Sequence, residues 1–321
     1  MKGSKNTGHS YEYSCFQREV KKPRYQKAST AANSEIAAVC KSSPPVGNMR
    51  LNPKWTFHLG HKMSDTSDYN RGAWDRMVEN ANPWTLPVSD DQVRDARNGD
   101  WNVVLTPLKA VPRNWFGDLS GARVLCLASA GGQQGPILSA AGARVTVLDN
   151  SPAQLARDEE VARRNDLDIQ LELGLMQDLS RFADQSFDLV FNPVSNCFTE
   201  DLAPVWREAF RVIRPGGRLL VGCCNPVLFG FDPDATGPQA LQWKYRLPYS
   251  DLTSRSPEDL QRHMAKGQAL EFSHSLEDQL GGQLRAGFMI ADLFEDGDRD
   301  RDWELAEYFP PFIATLAIKP L

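Results

Sequence analysis

A largely parallel α/β sheet with helices on both faces is the fold that this sequence predicts. Three observations carry that reading. From about residue 113 onward, short runs rich in Val and Leu alternate with stretches of helical period. One unit, "VLCLASAGGQQGPILSAAGARVTVLDNSP" from Val124 to Pro152, reads as strand, glycine-bearing turn, helix, strand and then an Asp. The chain closes with a helix, "SLEDQLGGQLRAG", and two strand-like runs, "FMIADLFED" and "FIATLAIKP". Strands that alternate with helices imply right-handed crossovers, and such crossovers bury a parallel sheet on both sides.

The elements follow in order. Residues 1–62 are rich in Ser, Lys, Asn and Thr and show no sustained period, so they are expected to form a disordered basic extension, or sequence upstream of a start at Met63. Residues 63–112 hold two helical stretches, "DYNRGAWDRMVENANPW" and "SDDQVRDARNGDW", separated by Asn82 and Pro83. Trp74, Met77 and Val78 form an apolar stripe on the first, which is expected to cover the site. The main domain, 113–321, begins with strands at 123–128 and 144–148 and helices at 136–142 and 152–165. Strands at 168–173 and 187–192 come next. Leu202, Val205, Trp206, Ala209, Val212 and Ile213 then recur at helical spacing, and this helix is expected to stop at "RPGG" before the strand "RLLVGCC". Residues 226–275 mix Pro, Gly and aromatics without a clean period and are expected to be an insertion on the substrate side of the sheet.

Composition narrows the function. The chain has 321 residues, 41% of them hydrophobic, with no apolar run long enough for a membrane span. Residues 1–62 hold 11 Lys and Arg against Glu12, Glu19 and Glu35, which leaves 25 basic and 38 acidic residues in the body. An acidic body offers no face for nucleic-acid phosphates, so no nucleic-acid partner is expected. Cys15, Cys40, Cys126, Cys197, Cys223 and Cys224 lack metal-type spacing, so no metal site and a reduced, cytoplasmic setting are expected. Oligomeric state is not legible.

In an open α/β sheet the ligand binds beyond the carboxyl ends of the strands, and the first strand, turn and helix supply its floor. Here the floor is "ASAGGQQG", where small residues let a ligand approach the backbone. Asp149, 17 residues beyond Gly132 and at the end of the second strand, is placed to accept both hydroxyls of an adenosine ribose. Two cofactors satisfy these facts. "AGGQQG" matches the dinucleotide fingerprint apart from its first glycine, which leaves an NAD-dependent oxidoreductase open. The helix exit "RVIRPGG" before "RLLVGCC" and the final pair of strands weigh against NAD.

With "VLCLASAGGQQG", "VTVLDNSPAQL", "FDLVFNPVSN" and "REAFRVIRPGGRLLV" in this order, the sequence from about Tyr69 to Lys319 resembles the class I S-adenosylmethionine-dependent methyltransferases. Within them it is similar to the ubiquinone and menaquinone biosynthesis group, the type 11 methyltransferases. The resemblance implies a seven-stranded Rossmann-like sheet of order 3-2-1-4-5-7-6 with the seventh strand antiparallel. It also implies S-adenosyl-L-methionine as cofactor and methylation of a small-molecule acceptor by in-line displacement. Ala128, Ala130, Gly131 and Gly132 would pass under the methionine moiety, with Gln133 holding its amino-acid end or the loop. Asp149 would take the ribose hydroxyls, Asn150 and Met176 would border adenine, and Asn192 would line the methyl-transfer mouth.

Some positions depart from the pattern. The usual acid of the first motif is Cys126, its first two glycines are Ala128 and Ala130, and the acid expected after the third strand is Leu175. Alanine costs little where φ is negative, whereas Leu175 cannot accept from the adenine amino group, which is left to backbone or Asp178. These substitutions keep open a catalytically inactive, cofactor-binding regulatory protein. Methyl transfer requires alignment, desolvation and, for some acceptors, loss of a proton. Candidates for catalysis or positioning are Asn196, Tyr249 and His274, the last of which could equally bond the backbone at a helix start. Tyr69 and Trp74 are candidates for a lid.

Overall fold

β1, Arg123–Leu127, is the centre about which the chain is arranged: Val124, Leu125, Cys126 and Leu127 have no exposed surface. The computed structural model describes residues 65–235, 237–297 and 304–321. The basic segment 1–62 and the boundary at Met63 lie outside them.

The strands β2 (Arg144–Asp149), β3 (Ile169–Leu173), β4 (Phe187–Asn192), β5 (Ile213–Cys224), β6 (Met289–Asp296) and β7 (Phe312–Ile318) complete a seven-stranded sheet of order β3-β2-β1-β4-β5-β7-β6. The first five strands run parallel, and β7 pairs antiparallel with both β5 and β6. That is the order and the antiparallel seventh strand expected from the sequence.

Alternation along β1 divides the core between the two faces. Val124 and Cys126 pack with Trp115, Ile137, Leu138 and Leu155, whereas Leu125 and Leu127 pack with Val205, Trp206, Ala209 and Val212. The helices are α1 (Asp65–Glu79), α2 (Asp90–Arg97), α3 (Gln134–Ala140), α4 (Pro152–Arg164), α5 (Ala203–Val212), α6 (Asp251–Ser254), α7 (Pro257–Ala265) and α8 (Gly282–Ala286). Ser151 starts α4 by accepting the Gln154 N–H at 3.1 Å, and Pro152 fills the first position, where its missing N–H costs nothing.

One expectation is corrected and one is refined. The "RPGG" run is not a helix cap: α5 ends at Val212, and Ile213 is already extended and paired with Phe187. The ladder shifts register there and resumes at Leu189 and Arg218, so Pro215 to Gly217 form an excursion inside β5. The helix at "SLEDQLGGQLRAG" opens as a wide turn over Glu277–Gly281 before α8. The Trp206 indole donates to the Asp278 carbonyl at 2.8 Å and so competes for that helix acceptor.

Two segments close over the carboxyl ends of the strands. The stretch 104–107 is held there because Leu105 O accepts from Val194 N at 2.9 Å, while the Val104 N–H donates to Gln134 Oε1 at 3.0 Å. Gly222 on β5 makes this possible, since a Cβ at that position would stand 2.0 Å from Leu105 O. Residues 226–275 place Leu228, Phe229, Tyr245 and Tyr249 against Cys224 and Phe312, over the ends of β5 and β7. α1 is fastened to that layer: Asn70 Nδ2 donates to Leu270 O at 3.0 Å, and Tyr69 Oη donates to Gln268 O at 2.9 Å.

Gly222→Ala is expected to destabilise the protein by about 1–3 kcal/mol, because either the strand or the 104–107 segment must shift. Urea unfolding midpoints check this, and an unchanged midpoint would refute the close approach of Leu105.

Candidate functional site

The loop after β1 has an unusual backbone that defines the site. Ala128, Ala130 and Gly132 lie at φ +45°, +64° and +71°, left-handed at every second position. Glycine adopts that region freely, whereas an alanine there meets its own carbonyl. Negative φ, the condition under which alanine costs little, is not met at either alanine, and both are strained.

The two alanines, and not the glycines beside them, line a cleft. Gly131 and Gly132, expected to let a ligand approach, instead let α4 approach. A Cβ on Gly131 would stand 2.6 Å from Gln154 O, and one on Gly132 would stand 2.9 Å from Arg157 O. The Gly131 N–H donates to Gln154 Oε1 at 2.8 Å, and the Gly132 N–H donates to the Asp158 carboxylate. Gln154 and Asp158 were missed in the sequence. Their signal was a pair of polar residues four apart on a helix face that must be buried.

Asp149 lines the cleft at the end of β2. Burial, with Asp75 nearby, pushes its carboxyl up to about 7 against the opposing bonds from the Ser151 and Asn150 N–H groups. Asp158 is fully buried beneath the loop; its second oxygen has no hydrogen-bond partner, and its carboxyl is raised well above the usual range by that burial. Cys126, where an acid is usual, has a thiol that burial raises, with Asp158 beside it.

The remaining wall comes from several elements. Asn150, Leu175, Met176 and Gln177 line the cleft beyond β2 and β3, and Pro193, Val194 and Ser195 line it beyond β4. Asp178 does not line it: Asp178 Oδ1 accepts from Ser180 N at 3.1 Å, and Gln177 faces the cleft in its place. Trp74 from α1 lines the cleft, with Trp84 and Phe198, whereas Tyr69 faces the insertion. Gln133 is at the rim, its amide donating to Leu86 O at 2.9 Å and Pro83 O at 3.1 Å, so it ties the loop to the segment after α1. Asn150 Nδ2 donates to Ser67 O at 2.8 Å.

Four expected residues stand back from the cleft. Asn192 is fully buried behind Ser195, to whose hydroxyl its amide donates at 2.9 Å. Asn196 donates to Gln279 Oε1 at 3.0 Å. His274 Nε2 bonds Thr199 O at 2.9 Å and Asn196 O at 3.1 Å, and burial lowers its pKa, so the neutral ring staples that turn from behind. Tyr249 donates to Asp251, which also receives Arg255 and the Glu271 N–H, in a buried network inside the insertion. Sequence spacing does not reveal which side of the insertion these rings face.

Residues 125–221 match a family model described as a methyltransferase domain. The chain is 45% identical over 256 residues to the uncharacterised methyltransferase YbaJ of Bacillus subtilis, covering 78% of this chain and 97% of that protein. The chain belongs to the class I S-adenosylmethionine-dependent methyltransferases. A shorter stretch of this methyltransferase, 78 residues or 24% of the chain, is 33% identical to 24% of the methyltransferase phqN of Penicillium fellutanum. The fold is shared with a putative S-adenosylmethionine-dependent methyltransferase of Listeria monocytogenes at TM-score 0.52 and 15% identity, over 65% of this chain and 95% of that one. The family settles the choice between two cofactors: this is an S-adenosylmethionine-dependent methyltransferase and not an NAD enzyme.

Ala128→Gly and Ala130→Gly are each expected to stabilise the enzyme by about 1 kcal/mol, by releasing left-handed strain that exceeds the added chain entropy. Chemical denaturation measures this, and a loss of stability in both variants would rule out the left-handed loop.

Proposed function

We propose that this methyltransferase transfers a methyl group from S-adenosylmethionine to a small-molecule acceptor by in-line displacement. Asp149 is the observation that carries the reading. It is a carboxyl at the end of β2, within a cleft that Trp74, Trp84 and Phe198 also line. The donor set suits the cofactor. Asp149 would accept the ribose hydroxyls, Asn150, Met176 and Gln177 would border the adenine, and the backbone at Ala128 and Ala130 would run under the methionine end. Gly131 and Gly132 support the floor through α4. When bound, the cofactor supplies an electrophilic methyl on a positively charged sulfur. The residues of the chain align, desolvate and exclude water.

The cleft runs from Asp149 and Asn150 past Ala128 and Ala130 to Trp74, Trp84 and Phe198, so cofactor and acceptor would share one continuous lining. Trp74, Trp84, Phe198 and Val194, which line the cleft and pack against the layer of Phe229, Tyr245 and Tyr249, form the acceptor side of the reading. On this reading Asn196, His274 and Tyr249 act by shaping that wall. A cytoplasmic setting fits Cys126, Cys197, Cys223 and Cys224, which are free thiols. Among the described residues no helix is long and apolar enough to cross a membrane.

Titration calorimetry of the full chain with S-adenosylmethionine and with its demethylated product tests the reading. Asp149→Ala is expected to weaken both by at least about 100-fold, the loss of two hydrogen bonds to a charged acceptor. The carboxylate must be ionised to accept two hydroxyls, so affinity is full above the free carboxyl's value of about 7 and is lost as pH falls through it. Affinity is expected to drop about tenfold from pH 8 to pH 6. Binding heats indifferent to both the substitution and pH would exclude Asp149 as the ribose acceptor.

A further inference from the structure

Among the described residues lining the cleft, Asp149 is the one ionisable side chain. On the reading above it is committed to the ribose, so nothing on the wall can take a proton from an acceptor. The other charged or titratable groups nearby are behind the lining. Asp75 and Asp158 stand behind Asp149, and the Arg181–Glu172 ion pair is buried at 3.1 Å beneath Gly174. His274 is bonded to the backbone carbonyls of the 196–199 turn, and Tyr249 to Asp251.

A second observation concerns Thr106. It lines the cleft, is 1% exposed, and its hydroxyl has no hydrogen-bond partner. A buried hydroxyl left unpaired costs free energy, and among the described residues lining the cleft Thr106 is the one whose buried side chain lacks a hydrogen-bond partner.

From these we propose that the acceptor is a ring-sized, mainly apolar molecule bearing an oxygen or sulfur acid already ionised near neutral pH, such as a thiolate, carboxylate or acidic phenolate. Its body packs against Trp74, Trp84 and Phe198, and the Thr106 hydroxyl donates to its anionic atom. The proposal rests on the methyl-transfer reading and narrows its substrate class. The step balances without a base. A lone pair of the anion forms the bond to the methyl carbon as the carbon–sulfur bond breaks, and that electron pair stays on sulfur. One anion and one cation become two neutral products, and no proton moves. An alcohol or alkylammonium acceptor would have to lose a proton, and the cleft offers no acceptor for it.

The test uses the full chain, saturating methyl-labelled S-adenosylmethionine, and four ring-sized probes: thiophenol, 4-nitrophenol, phenol and benzyl alcohol. At pH 7.5 thiophenol and 4-nitrophenol are expected to be methylated at least about tenfold faster than phenol, whose acidity is near that of tyrosine. Benzyl alcohol is expected to give no product. The phenol rate should climb about tenfold per pH unit toward pH 9, following the acceptor's own ionisation. Thr106→Val should raise the acceptor KM several-fold while the cofactor Kd is unchanged. Benzyl alcohol or phenol reacting as fast as the ionised probes, with a pH break that does not move between acceptors, overturns the proposal. So does a protein that binds cofactor yet methylates neither ionised probe. Absence of cofactor binding overturns this proposal and the methyl-transfer reading together, so calorimetry separates the two failures.

Discussion

The site depends on how helix α4 holds the loop after β1. Three left-handed residues in alternation, two of them alanines, would not persist in a free loop. They persist because α4 takes the loop's N–H groups with two buried side chains one helical turn apart, Gln154 and Asp158. Those bonds require the loop and helix to touch, and they touch because Gly131 and Gly132 have no Cβ. The glycines thus serve packing, and the surface offered to a ligand is the backbone at Ala128 and Ala130. A loop fixed from below keeps its shape when the cleft is empty, so less ordering is required on binding.

From that loop outward, each wall is tied to the next by a few polar bonds. Gln134 holds the 104–107 segment, Gln133 holds the stretch after α1, and Asn150 holds the start of α1. α1 is tied in turn to the insertion through Asn70 and Tyr69. α1 is therefore coupled to the ends of β1 and β2 by side-chain amides and by Asp75, which accepts from the Ser151 hydroxyl at 2.6 Å. Asp149 is then the one carboxyl lining the cleft, and its burial, with Asp75 nearby, raises its pKa against the bonds from the Ser151 and Asn150 N–H groups.

Much of the fold was legible because the strands alternate and the helices carry stripes. β4 was located to the residue, and α4 is announced by Ser151 and Pro152. The "RPGG" run misled because proline and glycine end a helix and also make a bulge; pairing of Ile213 with Phe187 decides between them, and that is a long-range fact. Asp149 could be placed from spacing alone. The sign of φ at Ala128 and Ala130 could not, because alanine almost always takes negative φ and only the tertiary bonds to α4 reverse it. His274 and Tyr249 were singled out by residue type, but an insertion without a period gives no account of direction, and both rings turn into the protein.

Cys126 becomes intelligible on the same terms. An acid at that position in β1 would stand beside Asp158, whose carboxyl is already raised by burial and whose charge already raises the Cys126 thiol. Two carboxyls that close in a dry core cannot both ionise. A second acid there would hold an extra proton or weaken Asp158 as the acceptor for the Gly132 N–H. A thiol avoids that conflict: it packs as a small apolar group within the cluster of Val124, Ile137 and Leu155. The acceptors for the loop are on the helix, where Asp158 one turn after Gln154 lets a single helix face hold two consecutive N–H groups. The strand is then free to be apolar throughout, and the strain at Ala128 and Ala130 is borne by bonds from α4 rather than from β1.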